Sequence, residues 1–155
     1  MDLVDPTRGP TASQAAGLTL AAARAVISAA QEAARSMGVA LTVAVVDAGD
    51  QLIAFERMDG ADLVGITLAR DKAFSSLVNR MPTRDIGPVA QPGAEFYGYD
   101  SLAGGRMVVF AGGMPLERGG VLVGAVGVSG GSAEQDQRAA DAAVAAFDRA
   151  GSTGG

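Results

Sequence analysis

Gly124-Ala125-Val126-Gly127-Val128-Ser129-Gly130-Gly131, residues 124–131, lies between an apolar run that begins at Val121 and a polar segment that begins at Ser132. The run 121–128 is rich in valine, which is typical of a buried strand. Ser132-Ala133-Glu134-Gln135 then fits a capping box, so we expect a helix from about Ser132 to Ala150. The glycines between the two elements predict a tight passage from strand to helix.

Two further helices and a hairpin are predicted in the first half of the chain. Apolar residues at helical spacing predict a helix over 13–37, and a second one is expected over about 62–79. Between them, the runs 39–46 and 51–57 flank the turn Asp47-Ala48-Gly49-Asp50. This pattern predicts a β-hairpin.

The middle of the chain contains many turn-forming residues. Residues 82–104 show no sustained period and predict a long loop, and such loops are often functional in compact domains. A further strand is expected over about 106–110, followed by a turn-rich stretch over 111–120. Adjacent hairpins together with amphipathic helices predict an α+β fold with a mainly antiparallel sheet.

Length and charge restrict the classes of protein. With 155 residues and no cysteine, we expect a single domain over 11–150, with flexible tails at 1–10 and 151–155. The net charge is −5 and the basic residues are scattered, which argues against nucleic acid as a partner. No apolar run approaches the roughly 18 residues of a membrane span, and the N-terminus lacks a basic segment, so we expect a cytoplasmic protein without membrane contact.

Four segments together resemble the GlcG/HbpS heme-binding-protein family, which includes the C-terminal domain of PduO. The segments are Asp71-Lys72-Ala73, Gly112-Gly113-Met114-Pro115-Leu116, the stretch 124–131, and Glu134-Gln135-Asp136. The resemblance spans about 13–148. It implies a profilin-like sandwich with a five-stranded, mainly antiparallel sheet covered by helices, and assembly into dimers or larger homo-oligomers.

The resemblance also makes heme a possible cofactor. The chain contains no histidine, so a heme iron would have to use Tyr97, Tyr99, a methionine or a lysine as its axial ligand, or bind without one. Without histidine and cysteine, zinc and copper lose their usual ligands, and the carboxylates lack EF-hand spacing. We therefore expect no metal site.

The start of the last helix is a candidate anion site. Backbone N–H groups around Gly130, Gly131 and Ser132 are expected to point outward from the positive end of the helix dipole. Simple capping by Ser132, with Glu134 complementing the dipole, is the alternative. The motif Gly127-Val128-Ser129-Gly130-Gly131 also matches G-x-S-x-G, but the histidine base that usually activates such a serine is missing.

The second helix carries an arginine within its predicted apolar stripe. Arg70 falls in the middle of this stripe, whereas Lys72 falls on the opposite side and is expected in solvent on periodicity alone. A buried guanidinium needs a partner, so Arg70 either snorkels, pairs with Asp47 or Asp71, or binds an anionic ligand. The apolar residues of the stripe are Leu63, Ile66, Phe74 and Leu77.

Two functions are compatible with these residues. The first is binding of a small, anionic metabolite, or of heme, by Arg70 and Lys72 with the turn at 130–132, Glu134 and the loop aromatics Phe96 and Tyr97. We further predict that Arg70 and the turn face one pocket.

The alternative is an acid–base enzyme, of the tautomerase, isomerase, hydratase or cyclase type, that acts on a small oxoacid-like or cyclic substrate. In that enzyme Asp47, Lys72, Tyr97 or Glu134 moves protons. A carboxylate with a perturbed pKa in a cleft would favour the enzyme, and an apolar slot sized for a porphyrin would favour heme.

Overall fold

The computed structural model describes residues 9–152 as an α+β fold. The predicted tails 1–10 and 151–155 lie largely outside the described residues, and the last helix continues through Gly151 to Ser152. In chain order the elements are α1 (Ala12–Ala15), α2 (Leu20–Met37), β1 (Thr42–Asp47), β2 (Leu52–Arg57), α3 (Val64–Asn79), α4 (Thr83–Ile86), α5 (Leu102–Gly105), β3 (Gly113–Arg118), β4 (Val121–Ser129) and α6 (Ala133–Ser152), with two 3₁₀ turns, Gly87–Val89 and Tyr99–Ser101.

The sheet has four antiparallel strands in the order β2-β1-β4-β3. The predicted hairpin over 39–57 is confirmed, and its turn is held by the Asp47 carboxylate, which accepts from the N–H groups of Gly49 and Gln51. Strand β4 lies in the centre between β1 and β3, so residues 121–129 are paired on both sides.

The sheet is covered by helices on both faces. Val43 and Val45 of β1 and Val126 and Val128 of β4 belong to the core cluster that contains the buried side chains of α2 and α6. Because successive residues of a strand point to opposite faces, Ala44 and Gly127 face α3 on the other side. The result is a three-layer arrangement with α3 on one face and the pair α2 and α6 on the other.

The third strand was predicted in the wrong place. Residues 106–110 form no strand, and the stretch 113–118, which the sequence indicates as turns, is β3. Pro115 is compatible with this strand because β3 lies at the edge of the sheet, where a missing N–H costs no pairing. The described residues thus form a four-stranded sheet, and the expectation of five strands is wrong.

The predicted first helix is interrupted. Gly17 adopts φ +95°, a left-handed conformation that ends α1, and Thr19 caps the start of α2 by accepting from the N–H of Ala22. Helix α2 then ends at Gly38, also left-handed, as the sequence predicts.

Candidate functional site

A small cleft lies where α3, the end of β4 and the start of α6 meet. Its volume is about 160 Å³, which is below the roughly 300–1,000 Å³ of sites for drug-sized ligands. It can therefore hold a ligand of only a few heavy atoms. The residues around it are Asp62, Val64, Leu68, Lys72, Phe110, Ser129, Gly130, Gly131, Ala133 and Asp136.

Lys72 lies at this cleft because α3 buries a different face from the one predicted. The buried face consists mainly of small residues, including Gly65, Ala69 and Ala73, and Lys72 belongs to it with 1% of its surface exposed. The interpretation of Lys72 as a solvated residue is therefore wrong. Small residues let α3 approach the sheet closely, and this approach carries the lysine inward.

The Lys72 ammonium group is held by two oxygen atoms. Its Nζ donates to Asp136 Oδ2 at 2.6 Å and to the Val128 carbonyl oxygen at 2.9 Å. Asp136 is 4% exposed, so this is a buried ion pair. The second carboxylate oxygen of Asp136 accepts from the N–H of Gly131 at 2.8 Å. The pair thus connects α3, β4 and α6.

The environment of Lys72 disfavours its charged form. Burial lowers the pKa of Lys72 below its ordinary value of 10.5, although the charge and hydrogen bond of Asp136 act in the opposite direction. The Phe110 ring centroid lies 5.2 Å from Nζ and gives a cation–π contact. An ammonium has three N–H donors, so one remains beyond the two that Asp136 and the Val128 carbonyl accept.

Gly112 leaves room for this lysine. A Cβ atom at Gly112 would lie 2.9 Å from Lys72 Nζ and 2.5 Å from the Val128 carbonyl oxygen. The residue also has φ +117°, which side chains rarely adopt. Glycine is therefore required at position 112, because a side chain there would clash with Lys72 and with the backbone of β4.

The capping box at the start of α6 is confirmed. Ser132 Oγ accepts from the N–H of Gln135, and Gln135 Oε1 accepts from the N–H of Ser132. The N–H groups of Gly131 and Ser132 thus already donate to side chains of the same chain. An anion at these two amides would have to replace Asp136 and Gln135.

Arg70 lies at a different cleft, so the prediction of one pocket shared by Arg70 and the turn is wrong. Its side chain is exposed beside Thr67 and Arg106 at a cleft of about 240 Å³. Asp71, a predicted partner of Arg70, instead pairs with Arg106 at 3.0 Å, and Asp50 pairs with the same guanidinium at 3.0 Å. The other predicted partner, Asp47, accepts hydrogen bonds within its own turn.

The remaining candidates lie outside the Lys72 cleft. Glu134 is exposed on the first turn of α6. Tyr97 is 70% exposed, and Phe96 packs edge-on against Tyr99 with ring centroids 6.2 Å apart. An apolar slot of about 200 Å³ lies beside these rings, and it is lined by Asn79, Met81, Ile86, Val89, Phe96 and Tyr99.

Sequence reasoning missed Asp136 and Phe110 as site residues. The sequence indicates Asp136 only as part of Glu134-Gln135-Asp136. A carboxylate near the start of a helix is more simply explained by its favourable interaction with the helix dipole. One signal for the site was available: Lys72 is the only lysine in the sequence, and the other eleven basic residues are arginines.

Residues 9–152, the described part of the chain, contain no group of three or more Asp or Glu side chains arranged to hold a metal ion. None of the helices in that range combines the length and apolarity needed to cross a membrane.

The fold and the cleft together define an α+β protein with a small polar site at one face of its sheet. A family model described as "Haem degrading protein HbpS-like" matches residues 18–145. The chain therefore belongs to the HbpS-like family, as the sequence motifs predict.

Three relatives illustrate this membership. The chain is 37% identical over 134 residues to an uncharacterized 15.0 kDa protein of Citrobacter freundii, covering 86% of this chain and 94% of that protein. It is 41% identical over 119 residues to the corrinoid adenosyltransferase PduO of Salmonella typhimurium, covering 77% of this chain but 35% of PduO. The solved structure of a PduOC:heme complex has a TM-score of 0.80 and 39% identity, covering 83% of this chain and 94% of that chain.

Proposed function

We propose that the protein binds a small metabolite in the cleft at Lys72. The observation that carries the proposal is the buried Lys72 ammonium at the edge of a cleft open to solvent, with one N–H direction left for a ligand oxygen. Val64, Leu68 and Phe110 supply apolar surface for the carbon atoms of the ligand. A small carboxylic or oxo acid combines these properties.

The charges at the cleft restrict the ligand to a weakly charged one. The ion pair of Lys72 and Asp136 has no net charge, and Asp62 adds one carboxylate at the exposed rim. The positive end of the α6 dipole partly offsets the negative charge of Asp62. A monoanion with a carbonyl or carboxylate oxygen is thus better suited than a phosphate with two charges.

The test compares a variant with a filled cleft and a matched control. Ala133→Phe places a ring at the exposed edge of the cleft, and Ala145→Phe makes the same change at another exposed position of α6. Pyruvate, lactate and acetate are titrated against each protein while backbone amide NMR signals are recorded. We expect saturable shifts near Gly130 and Gly131 in the wild type and in Ala145→Phe, and their loss in Ala133→Phe.

Two results would contradict this function. The first is that none of the three acids shifts the signals of the cleft. The second is that Ala133→Phe binds as well as Ala145→Phe.

Heme is the second candidate, favoured by the 39% identical PduOC structure solved with heme. The Lys72 cleft is too small for a porphyrin, and the apolar slot of about 200 Å³ is also below the size of typical drug-sized sites. The slot fits only an edge of the macrocycle. Tyr99, whose hydroxyl donates to Asn79 Oδ1, and Met81 are the groups there that can ligate iron.

Hemin titration monitored by visible absorbance tests this candidate. Because the chain has no histidine, we expect no low-spin spectrum of the histidine type. Binding through the slot would be weakened by Tyr99→Phe and retained by Tyr97→Phe. A low-spin complex of nanomolar affinity, or equal binding by both variants, would contradict this assignment.

A further inference from the structure

Lys72 differs chemically from every other basic side chain of the sequence. A lysine can lose its proton and expose a nucleophilic electron pair, whereas an arginine stays charged in proteins. The only lysine of the sequence is the basic residue that lies buried at the small cleft, while Arg70 and Arg106 lie at a separate polar cleft. The small cleft thus offers an amine and not only a positive charge.

The surroundings of this amine include a proton acceptor and an open side. Asp136 Oδ2 lies 2.6 Å from Nζ, and the other oxygen of this carboxylate, Oδ1, accepts from the N–H of Gly131. The Val128 carbonyl oxygen fixes the amine from a second side. Phe110 and Leu68 border the space in front of it and give the open side an apolar wall.

We propose that Lys72 is an amine nucleophile that forms an imine with a small aldehyde or ketone bound in the cleft. This inference rests on the proposed function, because the carbonyl compound must occupy the same cleft as the small metabolite. It names the class of ligand: a compound of a few carbon atoms with an electrophilic carbonyl group.

The step is balanced without any further reagent. The Lys72 ammonium transfers a proton to the Asp136 carboxylate, and the nitrogen electron pair then forms a bond to the carbonyl carbon. The C=O electrons move to oxygen, and a proton passes from nitrogen to this oxygen to give a carbinolamine. Asp136 returns its proton to the hydroxyl group, which leaves as water while the nitrogen pair forms the C=N bond. The lowered pKa of Lys72 supports this step, because it increases the fraction of neutral amine.

Reductive trapping on the whole protein tests the proposal. Wild type is incubated with pyruvate or acetaldehyde and cyanoborohydride, whose hydride converts the imine into a stable secondary amine. Trypsin cleaves after an unmodified Lys72 but not after the secondary amine, so an adduct yields the intact peptide 71–80 with the added mass. Lactate, which has the same carbon chain as pyruvate but no electrophilic carbonyl, is the matched negative control.

We expect the folded protein to be modified at Lys72 faster than the same chain in denaturing urea, where the lysine has its ordinary pKa. Ala133→Phe should lose this modification and Ala145→Phe should retain it. Slower modification in the folded state than in urea, or equal modification of Ala133→Phe, would overturn the proposal. If pyruvate and lactate shift the NMR signals of the cleft but pyruvate forms no adduct, the imine is refuted and the binding function stands.

Discussion

At the scale of single residues, the ion pair between Lys72 and Asp136 dominates the site. Two charges that are 1% and 4% exposed are costly to keep apart from water, and each is tolerated because the other neutralises it. Thr42 Oγ1, by contrast, is a buried hydroxyl oxygen for which the described structure provides no hydrogen-bond partner. The buried layer between α3 and the sheet thus contains polar groups that periodicity alone would not place there.

The first prediction concerns this pair. Asp136→Asn removes the charge, keeps a side-chain oxygen and leaves the Lys72 ammonium without a counter-ion, so the free energy of unfolding should fall by about 3–5 kcal/mol. Adding Lys72→Met to that variant should recover much of the loss, because no buried charge remains. Urea denaturation of Asp136→Asn, Lys72→Met and the double variant measures the coupling free energy between the two side chains. Strictly additive losses would show that the two side chains do not interact.

The second prediction concerns pH. The pKa of Lys72 is lowered in the folded protein, so the unfolded chain binds more protons between the folded-state pKa and 10.5. The free energy of unfolding contributed by Lys72 should therefore rise with pH across this window and be constant below it. The charged groups that line the cleft beside Lys72 are Asp136 on α6 and Asp62, which lies two residues before α3.

Comparing wild type with Lys72→Met isolates the contribution of Lys72 to the pH dependence of stability. The difference between their unfolding free energies, measured in urea from neutral to alkaline pH, should increase in favour of wild type. A difference that decreases over the same range would contradict the lowered pKa.

At the scale of elements, α3 shows why hydrophobicity predicted the wrong face. Leu63 and Ile66 are exposed, whereas Ala69 and Ala73 are buried against the sheet. Helices usually bury their largest apolar residues, but α3 packs so closely on β4 that the residues opposite Gly127 are small, as Ala69 and Ala73 are. Of the predicted apolar stripe, Leu77 is buried, but Leu63 and Ile66 are exposed, so the start of the stripe was placed in the core incorrectly. The sequence carried no periodic signal for Lys72.

Other elements were predictable because their signals are local. The hairpin depends on the turn 47–50, and the start of α6 depends on Ser132 and Gln135, whose groups bond within a few residues. Strand β3 was missed because its identity depends on its place at the sheet edge, which tolerates Pro115. The cleft depends in the same way on contacts between distant segments, such as Lys72 with Asp136.

The third prediction tests the close packing of α3. Gly127 lies between Ala44 and Gly113 in a row of small residues across three strands. A Cβ at Gly127 would overlap the Ala69 carbonyl oxygen of α3. Gly127→Ala should therefore lower the free energy of unfolding by about 1–3 kcal/mol or more, as overpacking does.

Gly49→Ala is the control for this change. A Cβ at Gly49 would make only an ordinary contact of 3.4 Å with the Asp47 carboxylate, so its effect should be small. Urea denaturation measures both variants. Equal stability of Gly127→Ala and Gly49→Ala would show that the helix does not need the glycine.

At the scale of the whole molecule, the family membership concerns the fold, whereas the ligand has to be inferred from the cleft. The HbpS-like match over residues 18–145 covers all four strands and most of α6, and so relates the entire sheet to the family. The glycines at 112–113 and 127 keep α3 close to this sheet and leave space for Lys72. The motifs that identify the family thus also shape the cleft, which is why we look for its ligand there.

The last prediction is that the protein forms a homo-oligomer. Leu63 and Val64 at the start of α3 are 72% and 60% exposed, and contiguous exposed apolar residues commonly mark contacts between proteins. The family resemblance also implies assembly. Light scattering at micromolar concentration should give a mass well above the 15.4 kDa of one chain.

A charge at the contact should weaken the assembly. Leu63→Glu is expected to shift the mass toward that of one chain, because burying an unpaired carboxylate is costly. Val121→Glu changes another exposed apolar residue, 62% exposed at the start of β4, and should leave the mass unchanged. A monomeric wild type would refute oligomer formation, whereas an oligomer equally resistant to both changes would place the contact elsewhere than at the start of α3.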